Sequence, residues 1–268
     1  MSKLAPLALL ACLFQPTAVD AQEFRIVTTI RDVSGKARTD AGVSTLTLFR
    51  HRKVYDYMAD LGEVIIYEPA ANQFTILNTR RGLATTVHFD EVKRLLKKRK
   101  PTIERYVAEL RRNEDPIAEN VAKAFQFQLA PTFEEAFDVK SNALTLRSEN
   151  CVYRVKCAAV ERSEQATQYL NYTDWMARLN SVLHPGAMFP EPRLALNNSL
   201  RRRGKFPQVV ELQSNLDGKL HLKASHQIAF RLEETDRQRI TNWEADLSSP
   251  RITKKSFEKY RQTILASR

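Results

Sequence analysis

From Phe24 onward, hydrophobic and polar positions alternate. Phe24, Ile26, Thr28 and Ile30 share one side, and Arg25, Val27, Thr29 and Arg31 the other, which is the two-residue period of a strand. Five further short runs rich in β-branched and aromatic residues follow at 45–50, 53–58, 63–68, 73–78 and 83–88. The separators are His51-Arg52, Asp60-Leu61-Gly62, Pro69-Ala70-Ala71-Asn72 and Arg80-Arg81-Gly82. Connections this short join antiparallel neighbours. The pattern therefore predicts a β-meander with at least one apolar face that another layer must cover.

The period then lengthens to that of a helix. Asp90 is placed to cap a segment carrying Val92, Leu95, Leu96 and Arg99 on one side, and Pro101 should stop or kink it. Thr102 opens a second segment with Ile103, Tyr106, Val107 and Leu110 on one face, and Asp115-Pro116 starts a third with Ile117, Val121, Ala124 and Phe125 inward. Three short amphipathic helices are expected. Strand patterns return at 132–139, 143–148 and 151–160, followed by helical stretches at 164–183 and 193–203. Two more strands, 208–214 and 219–232, are joined through Asn215-Leu216-Asp217-Gly218, a hairpin signal. Helices at 235–247 and 253–265 close the chain. No linker interrupts residues 22–268. The expectation is one α+β domain, a curved antiparallel meander or half-barrel packed against several helices.

The first residues change where this domain is expected to work. Lys3, the apolar run from Leu4 to Phe14 and the small-residue pattern Val19-Asp20-Ala21 read as an export signal over residues 1–21, cleaved near Ala21. The apolar run is too short for a spanning helix, and Leu10 is bulky where lipid attachment at Cys12 would want a small residue. The mature protein is thus expected in the periplasm or outside the cell. The net charge of +11 makes it strongly basic, suited to anionic lipid head groups or acidic polymers.

Candidate chemistry is sparse. Only seven glycines argue against glycine-rich phosphate loops, and the five histidines, His51, His88, His184, His221 and His226, lack zinc-protease spacing. No Gly-x-Ser-x-Gly elbow occurs. Asp90-Glu91 and Glu114-Asp115 fall at expected helix starts, and Glu134-Glu135 on opposite faces of a strand. Cys151 and Cys157, at the two ends of one expected strand, lie too far apart to bridge. No cofactor, metal or catalytic set is implied, and a non-enzymatic role is expected. The polar signal is basic. Lys93, Arg94, Lys97, Lys98, Arg99 and Lys100 crowd one helix and Arg201, Arg202 and Arg203 another, a candidate anion or membrane patch if the two meet. Tyr169, Tyr172, Trp175 and Met176 are candidates to line an apolar cavity or to fill the core. Nucleic acid is the weaker partner, since no binding motif is present.

The runs Ser44–Phe49, Lys53–Tyr57, Glu63–Pro69 and Phe74–Asn78 resemble part of the lipoprotein-carrier fold of bacterial envelopes, the periplasmic lipoprotein chaperone and its receptor. The resemblance covers about residues 24–89, with Tyr67-Glu68-Pro69 matching a recurrent turn and 209–212 compatible with a later strand. The helical block from Asp90 to Phe125 and the segment from Thr173 to Arg203 have no counterpart in it. The resemblance implies a sheet wrapped on helices around a lipid or acylated ligand. Two other expectations stand beside it: docking on an anionic envelope polymer through the basic patches, and hydrolysis at a site that no motif marks.

Overall fold

The computed structural model describes residues 23–35, 42–112, 115–158, 163–184, 186–216 and 220–266. The expected signal peptide lies outside these residues, as do the hairpin positions 217–219. Six strands open the described chain, β1 (Phe24–Asp32), β2 (Val43–Arg50), β3 (Lys53–Met58), β4 (Glu63–Glu68), β5 (Gln73–Asn78) and β6 (Leu83–His88). They pair in succession as an antiparallel meander. The tight turns before β4 and β6 use Gly62 and Gly82, both at φ +60°, a conformation most side chains resist.

Helices α1 (Phe89–Arg111) and α2 (Pro116–Leu129) follow, then a second meander of β7 (Glu134–Asp138), β8 (Ala143–Arg147) and β9 (Cys151–Ala158). Next come α3 (Ser163–Leu183), α4 (Glu191–Arg202), β10 (Phe206–Ser214) and β11 (Leu220–Ala229). The described chain ends with α5 (Glu234–Ser248), a two-residue strand β12 (Thr253–Lys254) and α6 (Phe257–Leu265). The two meanders join where β11 pairs antiparallel with β1, giving one open, curved twelve-stranded sheet in the order β12-β6-β5-β4-β3-β2-β1-β11-β10-β9-β8-β7. The fold class is α+β.

One face of this sheet, here called inner, carries the larger core. Phe24, Phe49, Phe74, Tyr153 and Val155 pack there against Phe89 and Val92 of α1, against α3 and α4, and against Phe257 and Tyr260 of α6. The outer face of β2–β6 carries a second core, Leu48, Tyr55, Val64, Ile66, Leu77 and Ala84, under Ile240 and Trp243 of α5. Cys151 and Cys157 are free and buried on β9, and burial raises the Cys151 thiol to about 12.

Three helical expectations are corrected. Asp90 does not cap α1, which begins at Phe89 after His88, so Asp90 lies inside its first turn. The segments on either side of Pro101 are not separate helices, because α1 runs through the proline, so two helices rather than three precede β7. A mid-helix proline loses one hydrogen bond. Here Phe89, Val92 and Val107, on both sides of it, are buried, and that shared packing carries the helix across. The final helix starts at Phe257 with Ser256 as its cap, not at residue 253, because Thr253 and Lys254 pair in parallel with Leu83 and Ala84 of β6.

Candidate functional site

The inner face is built in cross-strand rows, because residues directly opposite on neighbouring strands point the same way. One row runs Phe24, Phe49, Val54, Tyr67, Phe74, Val87 across β1–β6. The next runs Ile26, Thr47, Asp56, Ile65, Ile76, Thr85. The first is an aromatic band, with Phe24 stacked on Phe49 at 3.9 Å and Tyr67 at 5.5 Å from Phe74. The second interrupts an apolar surface with a carboxylate.

Helix α3 lies over both rows. Gln165, Tyr169, Tyr172, Met176, Leu179 and Leu183 recur at helical spacing and all are buried. Tyr172 meets the Phe49 ring edge-on at 5.8 Å, and Trp175 stacks on Phe89 of α1 at 3.8 Å. The four expected cavity-lining residues, Tyr169, Tyr172, Trp175 and Met176, therefore do meet the sheet, and they fill the layer between sheet and helices themselves. Clefts of about 320 Å³ and 610 Å³ open elsewhere, at the β8–β11 end of the molecule, beside Cys151 and His221 in the first and Phe133 and Arg147 in the second.

Within this layer runs a buried polar seam. Thr47 donates to Asp56 at 2.9 Å, and Tyr172 reaches the same carboxylate from α3. One turn earlier, the Tyr169 hydroxyl lies 3.4 Å from His226 Nε2, while His226 Nδ1 is 2.8 Å from Thr28 Oγ1. Arg193 of α4 donates to Tyr169 and to Asn197 Oδ1, and Asn197 in turn donates to Asp174 and Thr173. Arg201 closes the line at Asp174, at 2.7 Å and partly exposed. Polar groups are thus continuous from the floor of the sheet, through α3, to the surface at α4. Gln165 is 2% exposed, and neither end of its amide has a hydrogen-bond partner among the described residues.

Burial governs the protonation of this seam. It raises the Asp56 carboxyl above the usual carboxylate range, against the hydrogen bonds from Thr47 and Tyr172. It lowers His226 from 6.5 to about 4, assisted by the nearby charge of Arg193, so His226 is neutral at pH 7. Tyr172 is raised well above the ordinary phenol value by burial and by Asp56. Perturbed groups of this kind also mark catalytic sites. The clefts described above are lined by none of Asp56, His226, Tyr169 or Tyr172, so neither brings a substrate to them.

The basic residues are divided among different tasks. Lys93 pairs with Asp90 at 3.1 Å and sits over the Trp175 ring, Arg94 is 3.9 Å from Glu91, and Lys100 is 3.9 Å from Glu104. Lys97 and Lys98 are exposed. Arg99 is half-buried and points the other way, donating to Ser181 O, Ser181 Oγ and Ala187 O and stacking over Phe189. It ties α1 to the connection between α3 and α4. Arg202 and Arg203 both pair with Glu135 of β7. Burial pushes Glu135 up, but the Ser199 hydroxyl and the Arg203 and Arg202 charges outweigh it and hold the carboxyl below its ordinary value.

Arg99 stands apart from the second cluster, whereas Lys93 over Trp175 and Arg201 at Asp174 reach neighbouring residues of α3. Arg99 bonds to the chain just before α4, whereas Arg201–Arg203 stand at the other end of that twelve-residue helix, about 15 Å away at 1.5 Å per residue. Sequence reasoning did not find Thr28, Thr47, Asp56, Arg193 or His226. One signal was available: Asp56 alternates with Val54 and Met58, so a carboxylate shares the side of apolar residues on a strand. No protein-family model matches the chain, and no curated protein matches its sequence.

Proposed function

We propose that this is an exported, non-enzymatic protein that binds a lipid-like or amphiphilic ligand between the inner face of its sheet and the overlying helices. The observation that carries the reading is the composition of that layer, an aromatic band flanked by a buried polar seam. A core needs no such seam, because buried polar groups stabilise less than the apolar side chains they displace. An amphiphile would use both parts, its chain against Phe49, Tyr67 and Phe74 and its polar end near Tyr169, His226 and the Gln165 amide. Covering apolar surface contributes about 25 cal/mol per Å².

Because α3 and α1 occupy the layer, loading requires them to move outward together with Tyr172 and Trp175. The resemblance to lipoprotein carriers over residues 24–89 agrees with this reading, and the open edge-to-edge sheet, which does not close into a barrel, leaves the helices room to move. The test is native mass spectrometry of protein purified from its host, followed by extraction under denaturing conditions. A co-purifying lipid or acylated peptide is expected. Protein that emerges empty, and whose Trp175 fluorescence is unchanged by fatty acids or lysophospholipids, would overturn the reading.

A further inference from the structure

Three clefts meet at the turn between β8 and β9. Those of about 320 Å³ and 610 Å³ are linked by a third of about 290 Å³, which shares Asn150 with the first and Thr132 and Ser148 with the second, and Glu149 lines all three. They form one groove. Strand pairing fixes its course, since Leu220 is paired with Ser214, Ser214 with Cys151, Val152 with Arg147 and Arg147 with Glu134. The groove therefore crosses five strand ends from β11 to β7, about 19 Å at about 4.8 Å per strand. Its middle is held in place, because Ser148 N and Oγ both donate to Cys151 O and Asn215 N donates to Asn150 O.

The lining is polar and of mixed sign. Lys123 and Arg147 stand against Glu134 and Glu149, so neither charge dominates. The side chains of Thr132, Glu149, Asn150 and Asn215 have no hydrogen-bond partner among the described residues, and together they offer the groove both donors and acceptors. Beside them Phe127 and Phe133, edge-on at 5.2 Å, are only partly buried.

We propose that this groove binds a neutral oligosaccharide lying across the strand ends. Every sugar unit carries hydroxyls that donate and accept at once, which the unspent amides, hydroxyl and carboxylate match, and a C–H face that a phenyl ring covers. Other classes of ligand fit less well. An anionic polymer would meet Glu134 and Glu149, and an acyl chain would leave the polar side chains desolvated without partners. An extended peptide adds to a sheet along an edge strand, whereas this groove runs across the strands. The site is separate from the layer between sheet and helices, so it stands or falls apart from the lipid reading.

The experiment is titration of the full chain with chitotetraose, cellotetraose and maltotetraose, read by calorimetry and by amide NMR spectra. At least one sugar should bind saturably, shift the signals of residues 148–152 and 213–216, and keep its affinity as salt rises, as an uncharged ligand must. Glu149→Ala should weaken binding about tenfold or more, the scale of a hydrogen bond to a charged group, and Asn215→Ala about two- to tenfold, the scale of a neutral one. Both residues are exposed, so the circular-dichroism spectrum should not change. Glu109→Ala, which removes an exposed carboxylate of α1, should bind as the parent does. No binding of any of the three sugars, binding that Glu149→Ala leaves intact, or equal loss in Glu109→Ala would each overturn the proposal. So would binding of polyglutamate in place of the sugars.

Discussion

Strands β4 and β9 belong to the same sheet and have opposite surroundings. On β4, five consecutive residues, Glu63–Tyr67, are buried. On β9, Cys151, Tyr153, Val155 and Cys157 are buried while Val152, Arg154, Lys156 and Ala158 are not. The difference is one helix. Helix α5, late in the chain, covers the outer face of β2–β6, and among the described residues no helix comparably covers β8 and β9. A continuous apolar run in an antiparallel strand thus reports two covered faces, and clean alternation reports one. The half with two covers is held by both cores, and the other half keeps a polar, basic outer surface.

Several substitutions separate the two halves, and the largest effect should come from the outer cover. Trp243→Ala removes the ring that packs on Tyr55 and Tyr57 and should cost about 3–5 kcal/mol in chemical denaturation. A loss below 1 kcal/mol would mean that α5 contributes little to β2–β6.

Acidification comes next. His226 is lowered to about 4 in the fold against 6.5 unfolded, so the unfolded chain binds the proton first. Its contribution is fully present above pH 6.5 and is lost as pH falls toward 4, about 3 kcal/mol in all. Asp56, raised by burial, acts with the opposite sign at the acid end, favouring the fold as it protonates. Denaturation midpoints measured across this window should fall with pH for the parent and much less for His226→Gln.

A smaller effect is expected at the clamp between helices. Arg99→Ala should cost about 2 kcal/mol, the scale of charge-assisted hydrogen bonds to carbonyls, and should speed amide exchange in α1 more than in the sheet. The smallest belongs to the uncovered face. Val152→Thr should change stability by less than about 0.5 kcal/mol. A larger loss there would show that the outer face of β9 is covered in solution.

Much of this architecture is readable from local pattern. All six strands of the first meander fall within two residues of their expected bounds, because each is closed by a turn whose residues are unambiguous. The expected opposition of Glu134 and Glu135 also holds, with Glu135 turned to Arg202 and Arg203 and Glu134 opposite Arg147. What local pattern does not carry is partnership over distance. Thr28 and His226 are 198 residues apart, and only the pairing of β1 with β11 brings them together. The course of α1 through Pro101 and the return of α5 to the outer face are likewise decided by tertiary packing, which overrides local propensity. The first basic cluster is divided for the same reason, since Lys98 is exposed while its neighbour Arg99 is half-buried and bonds to α3.

The pairing of β1 with β11 also fixes an order of assembly. A chain made from its N-terminus presents β1 first, yet one edge of that strand finds its partner only when residues as late as Ala229 have emerged. Until then the first meander can form its hairpins but leaves the Arg25–Asp32 edge unpaired, a template for pairing with other chains. The seam that joins the two meanders therefore closes late, near the centre of the sheet, and its closure, a contact of long sequence separation, should set the pace of folding.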